Sequence, residues 1–186
     1  MSYTEKQKTY YLRKARTAVK RFDINKDGYF SGEDFELMAE RMIEYGKPPK
    51  EQAEFVHKGF MKFVGLFGLK PGEKVPLEEM AQRIHKAVLA IPIAEHKTIL
   101  HDVHEPLFDI IDLNKDGHIS LEEFKVYFHV AGADLTDEET VHSFSTIDAD
   151  KNGEISRDEF LVAADDFYAG FDETELSKVF LGRLED

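Results

Sequence analysis

The chain has no cysteine, no tryptophan and no long apolar run. Without cysteine there is no disulfide framework, and nothing calls for an oxidising compartment. The longest apolar stretch, Ala87 to Ala94, is far too short to span a bilayer and is broken by Pro92. The opening Met1-Ser2-Tyr3-Thr4-Glu5-Lys6-Gln7-Lys8 has no apolar signal core, and Ser2 stands where N-myristoylation requires glycine. These absences predict a soluble cytoplasmic protein with no membrane partner. Positive charge is also scarce. Lys and Arg number 24 against 37 Asp and Glu, a formal net charge of -13. That balance disfavours nucleic acid and anionic lipid, and it suits a protein that collects cations.

What is present is helical periodicity, interrupted by short Asp/Asn/Gly segments rather than Gly/Ser linkers. The pattern predicts an all-α fold. Thr4 and Gln7 form a capping box for a first helix through Tyr11, Leu12, Ala15, Val19 and Phe22. A second helix presents Phe35, Met38 and Met42 on one face and ends near Gly46-Lys47-Pro48-Pro49. The same helix–loop–helix unit then recurs, with entering helices predicted from about Lys50, about Ala94 and after Thr136, where Glu139 completes a second capping box. Pro92 divides the chain tightly into halves, 1–92 and 93–186. Asp172 with Glu175 predicts an extra C-terminal helix through Leu176, Val179 and Phe180.

Three of the interruptions have the composition of calcium loops. Calcium takes about six to eight oxygens, and the twelve-residue EF-hand loop supplies them from positions 1, 3, 5, 7, 9 and 12, with glycine at position 6 where the chain turns sharply. One loop offers Asp112, Asn114, Asp116, the His118 carbonyl, Ser120 and Glu123 around Gly117. Another offers Asp148, Asp150, Asn152, the Glu154 carbonyl, Ser156 and Glu159 around Gly153. The first loop offers Asp23, Asn25, Asp27, the Tyr29 carbonyl and Ser31 around Gly28, but closes with Asp34 where glutamate is usual. One methylene less predicts lower coordination there, weaker discrimination against magnesium, or a compensating water.

Position 8 carries Phe30, Ile119 and Ile155, apolar residues suited to a short β contact between paired loops. Phe22, Ile111 and Ile147 precede the three loops, and Phe35, Phe124 and Phe160 follow at one offset, so the flanking helices are in phase. The gap between Asp23 and Asp112 leaves room for one more hand. Placing Val75 at position 8 starts it at Gly68, with Gly68, Lys70 and Gly72 at positions 1, 3 and 5. That set has no carboxylate and carries one positive charge. The second hand is therefore expected to keep the fold, pair with the first and bind no metal. The prediction is four EF-hands in two pairs, three of them calcium sites, with magnesium an alternative ion in the first.

The Phe-Asp-Ile-Asn-Lys-Asp-Gly opening at Phe22, the Asp34 closure and the silent second hand resemble the sarcoplasmic calcium-binding protein family. Tyr11-Leu12-Arg13-Lys14, Ala133-Asp134-Leu135-Thr136-Asp137 and the run from Ile155 to Val162 are most similar to its luciferin-binding (coelenterazine-binding) members from sea pansies. The resemblance implies a compact, cup-like globule around an apolar cavity. It implies a stored coelenterazine, released when calcium binds and passed to a luciferase. It also implies a ligand-holding arginine, matched by Arg21, and a second-helix tyrosine, replaced here by Phe35. Pocket candidates are Arg21, Phe22, Phe35, Met38, Met42 and Phe180, with Phe60, Phe63, Phe108, Phe144 and Phe167 as further lining; helical spacing favours core packing for any one phenylalanine taken singly. The related photoproteins rely on a tryptophan that this chain lacks.

Three other functions compete. An intracellular calcium/magnesium buffer of the sarcoplasmic type needs only the loops. A calmodulin-like sensor needs methionine-rich grooves, and the C-terminal half has no methionine. An enzyme would draw on His101, His104 and Glu105, but H-x-x-H lacks the spacing of a zinc-protease helix, and packing or surface histidines explain it better. No catalytic residue is expected, and the protein is expected to act as a monomer.

Overall fold

Thr4 opens the first helix as its sequence dictates. In the computed structural model, which describes residues 3–47, 49–91, 93–131 and 135–185, the Gln7 N–H donates to Thr4 Oγ1 at 3.3 Å. Thr4 N–H in turn donates to Gln7 Oε1 at 2.9 Å. Two otherwise orphaned backbone donors are thereby satisfied. This helix, α1 (Glu5–Arg21), runs into the first loop, and β1 (Tyr29–Ser31) leads out to α2 (Gly32–Gly46). The second unit is α3 (Lys50–Leu66), β2 (Lys74–Pro76) and α4 (Leu77–Ala90). The third is α5 (Ile93–Ile111), β3 (His118–Ser120) and α6 (Leu121–Ala131). The fourth is α7 (Asp137–Ile147), β4 (Glu154–Ser156) and α8 (Arg157–Tyr168), followed by a short α9 (Glu175–Val179). Four EF-hand units in an all-α globule are thus observed. Pro48, Pro92, Ala133, Asp134 and the side chain of Phe63 lie outside the described residues.

The position-8 expectation is met in register. β1 and β2 pair antiparallel with Phe30 opposite Val75, and β3 and β4 pair with Ile119 opposite Ile155. All four side chains are at most 1% exposed. These two-stranded contacts are too small to stand alone, and the packing of the flanking helices holds them. Around the first pair Phe30 meets Phe35 and Phe67 edge-on, and behind the second Phe124 meets Phe128 and Phe144 in the same way. Thr136 and Glu139 form the expected capping box.

One expected cap differs. Thr174, not Asp172, caps α9, with Ser177 N–H donating to Thr174 Oγ1 at 3.0 Å. Asp172 instead accepts from the Gln7 side-chain amide at 2.9 Å, which ties it to α1.

The halves interlock rather than lie side by side: α3 packs on α5, α2 on α6, and α1 on α8. The last turn of the chain is gripped by α1, with Arg13 donating to the Glu185 carbonyl and Thr17 accepting from the Glu185 N–H. Lys14, 1% exposed, donates to the carbonyls of Asp166 and Gly170 at 3.0 and 2.7 Å and lies over the rings of Tyr10, Tyr11 and Phe167. Burial lowers its pKa to about 8. Carbonyl acceptors and ring faces replace much of the water this ammonium gives up.

Candidate calcium loops and the enclosed cavity

Each predicted calcium loop is wound by its own side chains. Asp23 accepts from the N–H groups of Asp27 and Gly28, Asn25 from Asp27, and Asp27 from Tyr29. In the third hand Asp112 accepts from Gly117, Asn114 from Asp116 and Asp116 from His118. In the fourth, Asp148 accepts from Asn152 and Gly153, Asp150 from Asn152, and Asn152 from Glu154. The backbone must pass twice through the left-handed region to make this shape. Lys26, Lys115 and Lys151 at position 4 have φ of 58°, 61° and 58°, and Gly28, Gly117 and Gly153 at position 6 have 82°, 88° and 90°.

The closing carboxylates bridge both sides of their loops. Glu123 accepts from the N–H groups of Leu113, Asn114 and Ser120 and from the Ser120 hydroxyl. Glu159 accepts from Ala149, Asp150, Ser156 N–H and the Ser156 hydroxyl. Asp34 makes the same set, to Ile24, Asn25 and Ser31, although its side chain is shorter. It does so from a deeper position, 1% exposed against 8% for Glu123. Burial pushes the Asp34 carboxyl above its ordinary range despite four donors. At Glu159 burial also acts upward, but the donors outweigh it and the pKa is lowered.

The donor atoms suit a hard cation. All the candidate side-chain ligands offer oxygen, and one ligand oxygen from each of Asp148, Asp150 and Glu159 lies within 4.8 Å of the others. Asp112 Oδ1 is buried with no hydrogen-bond partner among the described residues, an arrangement a metal ion would relieve.

The second loop has another course. Its left-handed residues are Gly68 and Gly72, at positions 1 and 5, and position 4 is Pro71. A proline ring holds φ near about -65°, so this segment cannot follow the path of the other three. Glu73 accepts from the Lys70 N–H, and Arg83 draws both Glu73 and Glu79 to itself at 2.8 Å.

Between the four hands lies an apolar cavity of about 620 Å³ including its open mouth. Its walls stand close together and leave free space for only a few waters. A second space of about 640 Å³ adjoins it, sharing the walls Tyr11, Phe67, Ile84 and Tyr168. Of the candidate pocket residues, Phe22, Phe35 and Met38 line the first cavity together with Phe60 and Phe167. Met42, Phe108 and Phe144 are buried in the core and line neither space. Phe180 borders a smaller gap beside His104 and Tyr127. Arg21 lines none of these spaces; it donates to the Leu181 carbonyl, with its guanidinium 3.7 Å from Glu139.

The polar groups on the cavity wall are Lys14, His104, Tyr11, Tyr127 and Tyr168, none of them among the pocket candidates. His104 accompanies Phe108 one turn later on the buried face of α5, and Lys14 follows Tyr11 on that of α1. Both are polar residues on an apolar stripe, which was the available signal. Burial depresses the His104 pKa to about 4, so the ring is neutral near pH 7, and burial raises the phenols of Tyr127 and Tyr168, which stay protonated. His101 sits apart, 3.1 Å from Asp165.

A family model for an EF-hand domain pair matches residues 102–164. The luciferin-binding protein of Renilla reniformis is 40% identical over 181 residues, covering 97% of this chain and 98% of its own. The chain belongs to the EF-hand family of luciferin-binding and sarcoplasmic calcium-binding proteins. A sarcoplasmic calcium-binding protein of Hediste diversicolor is 32% identical over 94% of this chain and 98% of its own. The calcium-loaded apo form of the coelenterazine-binding protein of Renilla muelleri superposes with a TM-score of 0.78 at 39% identity, over 98% of this chain and all of that one. In this chain the two parts of the site described above, oxygen-lined loops and an aromatic cavity, adjoin directly. Phe22 and Asp23 are consecutive, as are Asp34 and Phe35, so the first loop is flanked on both sides by cavity wall.

Proposed function

We propose that this protein is a calcium-triggered carrier of a coelenterazine-type luciferin, with calcium sites at the loops closed by Asp34, Glu123 and Glu159. The observation that carries the reading is the ring-lined cavity inside a chain so similar to a luciferin-binding protein. Its walls are mostly aromatic, with a few polar groups that can orient a heterocycle. The proposed units are an N-terminal pair, 1–92, and a C-terminal pair, 93–186.

Calcium would act through the exit helices. An ion held by position 12 fixes the start of α2, α6 or α8, and these helices carry Phe35 and Met38, Tyr127, and Phe167 and Tyr168 to the cavity wall. A ligand that prefers one wall arrangement and an ion that prefers another oppose each other by linkage. The released luciferin would pass to a luciferase, with the carrier working as a cytoplasmic monomer. No described helix is long and apolar enough to cross a membrane.

The test is to add coelenterazine to the calcium-free protein, follow its absorption and fluorescence, and then add calcium. Binding that calcium weakens is expected. A folded protein that ignores coelenterazine would leave a calcium/magnesium buffer, a reading favoured by the narrow free space in the cavity and the similarity to sarcoplasmic proteins.

A further inference from the structure

The silent hand carries a charge that reaches into its neighbour. Lys74 occupies position 7 of the second loop, where a calcium loop contributes only its backbone carbonyl, so its side chain has no ligand role there. It opens β2 directly opposite Ser31 of β1. From that place its ammonium crosses to the first loop, 2.9 Å from Asp27 Oδ2 and 2.8 Å from Glu33 Oε2. Asp27 is position 5 of the first loop, one of its three side-chain carboxylates. The corresponding contact in the C-terminal pair, His118 to Glu154, is longer at 3.8 Å and involves neither loop's carboxylate ligands.

We propose that Lys74 is a tethered competitor cation: it occupies the Asp27 carboxylate when the first loop is empty and must yield when a metal ion enters, which sets that loop's affinity. The inference rests on the first loop being a calcium site. Lysine suits such a role because its ammonium is a compact point charge on a flexible stem. The side chain is 43% exposed, so it can leave without opening the core, and Glu33, outside the ligand set, can keep hold of it. An exposed contact of this kind is modest in strength, so it tunes the site rather than closing it.

The experiment titrates calcium into the full chain and follows the amide signals of Gly28, Gly117 and Gly153, one per loop. In Lys74→Met the Gly28 midpoint should move to roughly three- to tenfold lower calcium, while Gly117 and Gly153 keep their midpoints and report an intact fold. Lys74→Arg, which keeps the charge, should resemble the parent. Lys70→Met removes an equal charge from the same silent loop without that contact, and should move Gly28 much less. An unchanged midpoint in Lys74→Met, or an equal shift in Lys70→Met, overturns the proposal while leaving the first loop a calcium site. If Gly28 responds in neither the parent nor Lys74→Met, the first loop is no calcium site and the role of Lys74 falls with it. If it responds only in Lys74→Met, the competitor role holds in stronger form.

Discussion

In the C-terminal pair both loops close with a glutamate, and the contact between the position-7 residues, His118 and Glu154, involves none of the candidate carboxylate ligands. In the N-terminal pair one loop closes with the shorter Asp34, has a lysine on Asp27, and leans against a partner that cannot wind as a calcium loop. Yet both pairs are joined by the same antiparallel bridge, in the same register, between side chains equally buried. The pairing of hands and the path of the loop backbone are therefore separable properties of the sequence. Position 8 and the helix faces set the first; the residues at positions 4 and 6 set the second. The second hand keeps its pairing through Val75 opposite Phe30, apolar contacts that need no ion.

The largest expected effect tests the C-terminal side of this contrast. Glu123→Gln and Glu159→Gln each remove the negative charge of a closing carboxylate, which already draws both flanks of its loop together. Each should weaken its own site by roughly 100-fold or more, because a bidentate anion becomes a neutral amide. Calorimetry should count one fewer strong site in each variant. Equal weakening of all sites would mean that the loops do not act as separate units.

A smaller change bears on the first loop. Asp34→Glu restores the missing methylene, and should raise calcium affinity there roughly tenfold and improve the preference for calcium over magnesium, since magnesium demands the tighter shell that a short side chain gives. Competition titrations of the two ions, read at Gly28, measure both. The structure adds a reason for a modest gain. Asp34 already reaches the same N–H donors as the glutamates by sitting deeper, so the longer side chain must push the start of α2 outward.

Much of this contrast was legible in the sequence. Loop composition has a fixed spacing, and Val75 could be aligned by position 8 although no ligand marked its hand. The caps at Thr4 and Thr136 followed from single residues three apart. The cap at Thr174 did not, because Asp172 offered an equally good side chain and only the packing of α1 drew it away to Gln7. The cavity was less legible still. Helical spacing marks Phe35, Met42 and Phe108 alike as buried, and only tertiary packing decides that Phe35 meets a void while the other two meet neighbours. Lys74 was hidden for the same reason, since its partner Asp27 is far away in sequence.

The last prediction expects no effect, and it isolates the backbone from the ligands. Gly68→Asp, Lys70→Asp and Gly72→Asp together would place carboxylates at positions 1, 3 and 5 of the silent loop, where Glu79 already stands at position 12. Ligand composition alone would then call it a calcium loop. The torsions say otherwise. Pro71 cannot adopt the positive φ that Lys26, Lys115 and Lys151 take at position 4, and Glu73 stands at position 6, where Gly28, Gly117 and Gly153 have φ of 82° to 90°. Arg83 also holds Glu79 at 2.8 Å. Calorimetry on the triple variant should find no added site, whereas adding Pro71→Lys and Glu73→Gly should create one of low affinity. A new strong site in the triple variant alone would show that the carboxylates, not the chain path, keep this hand silent.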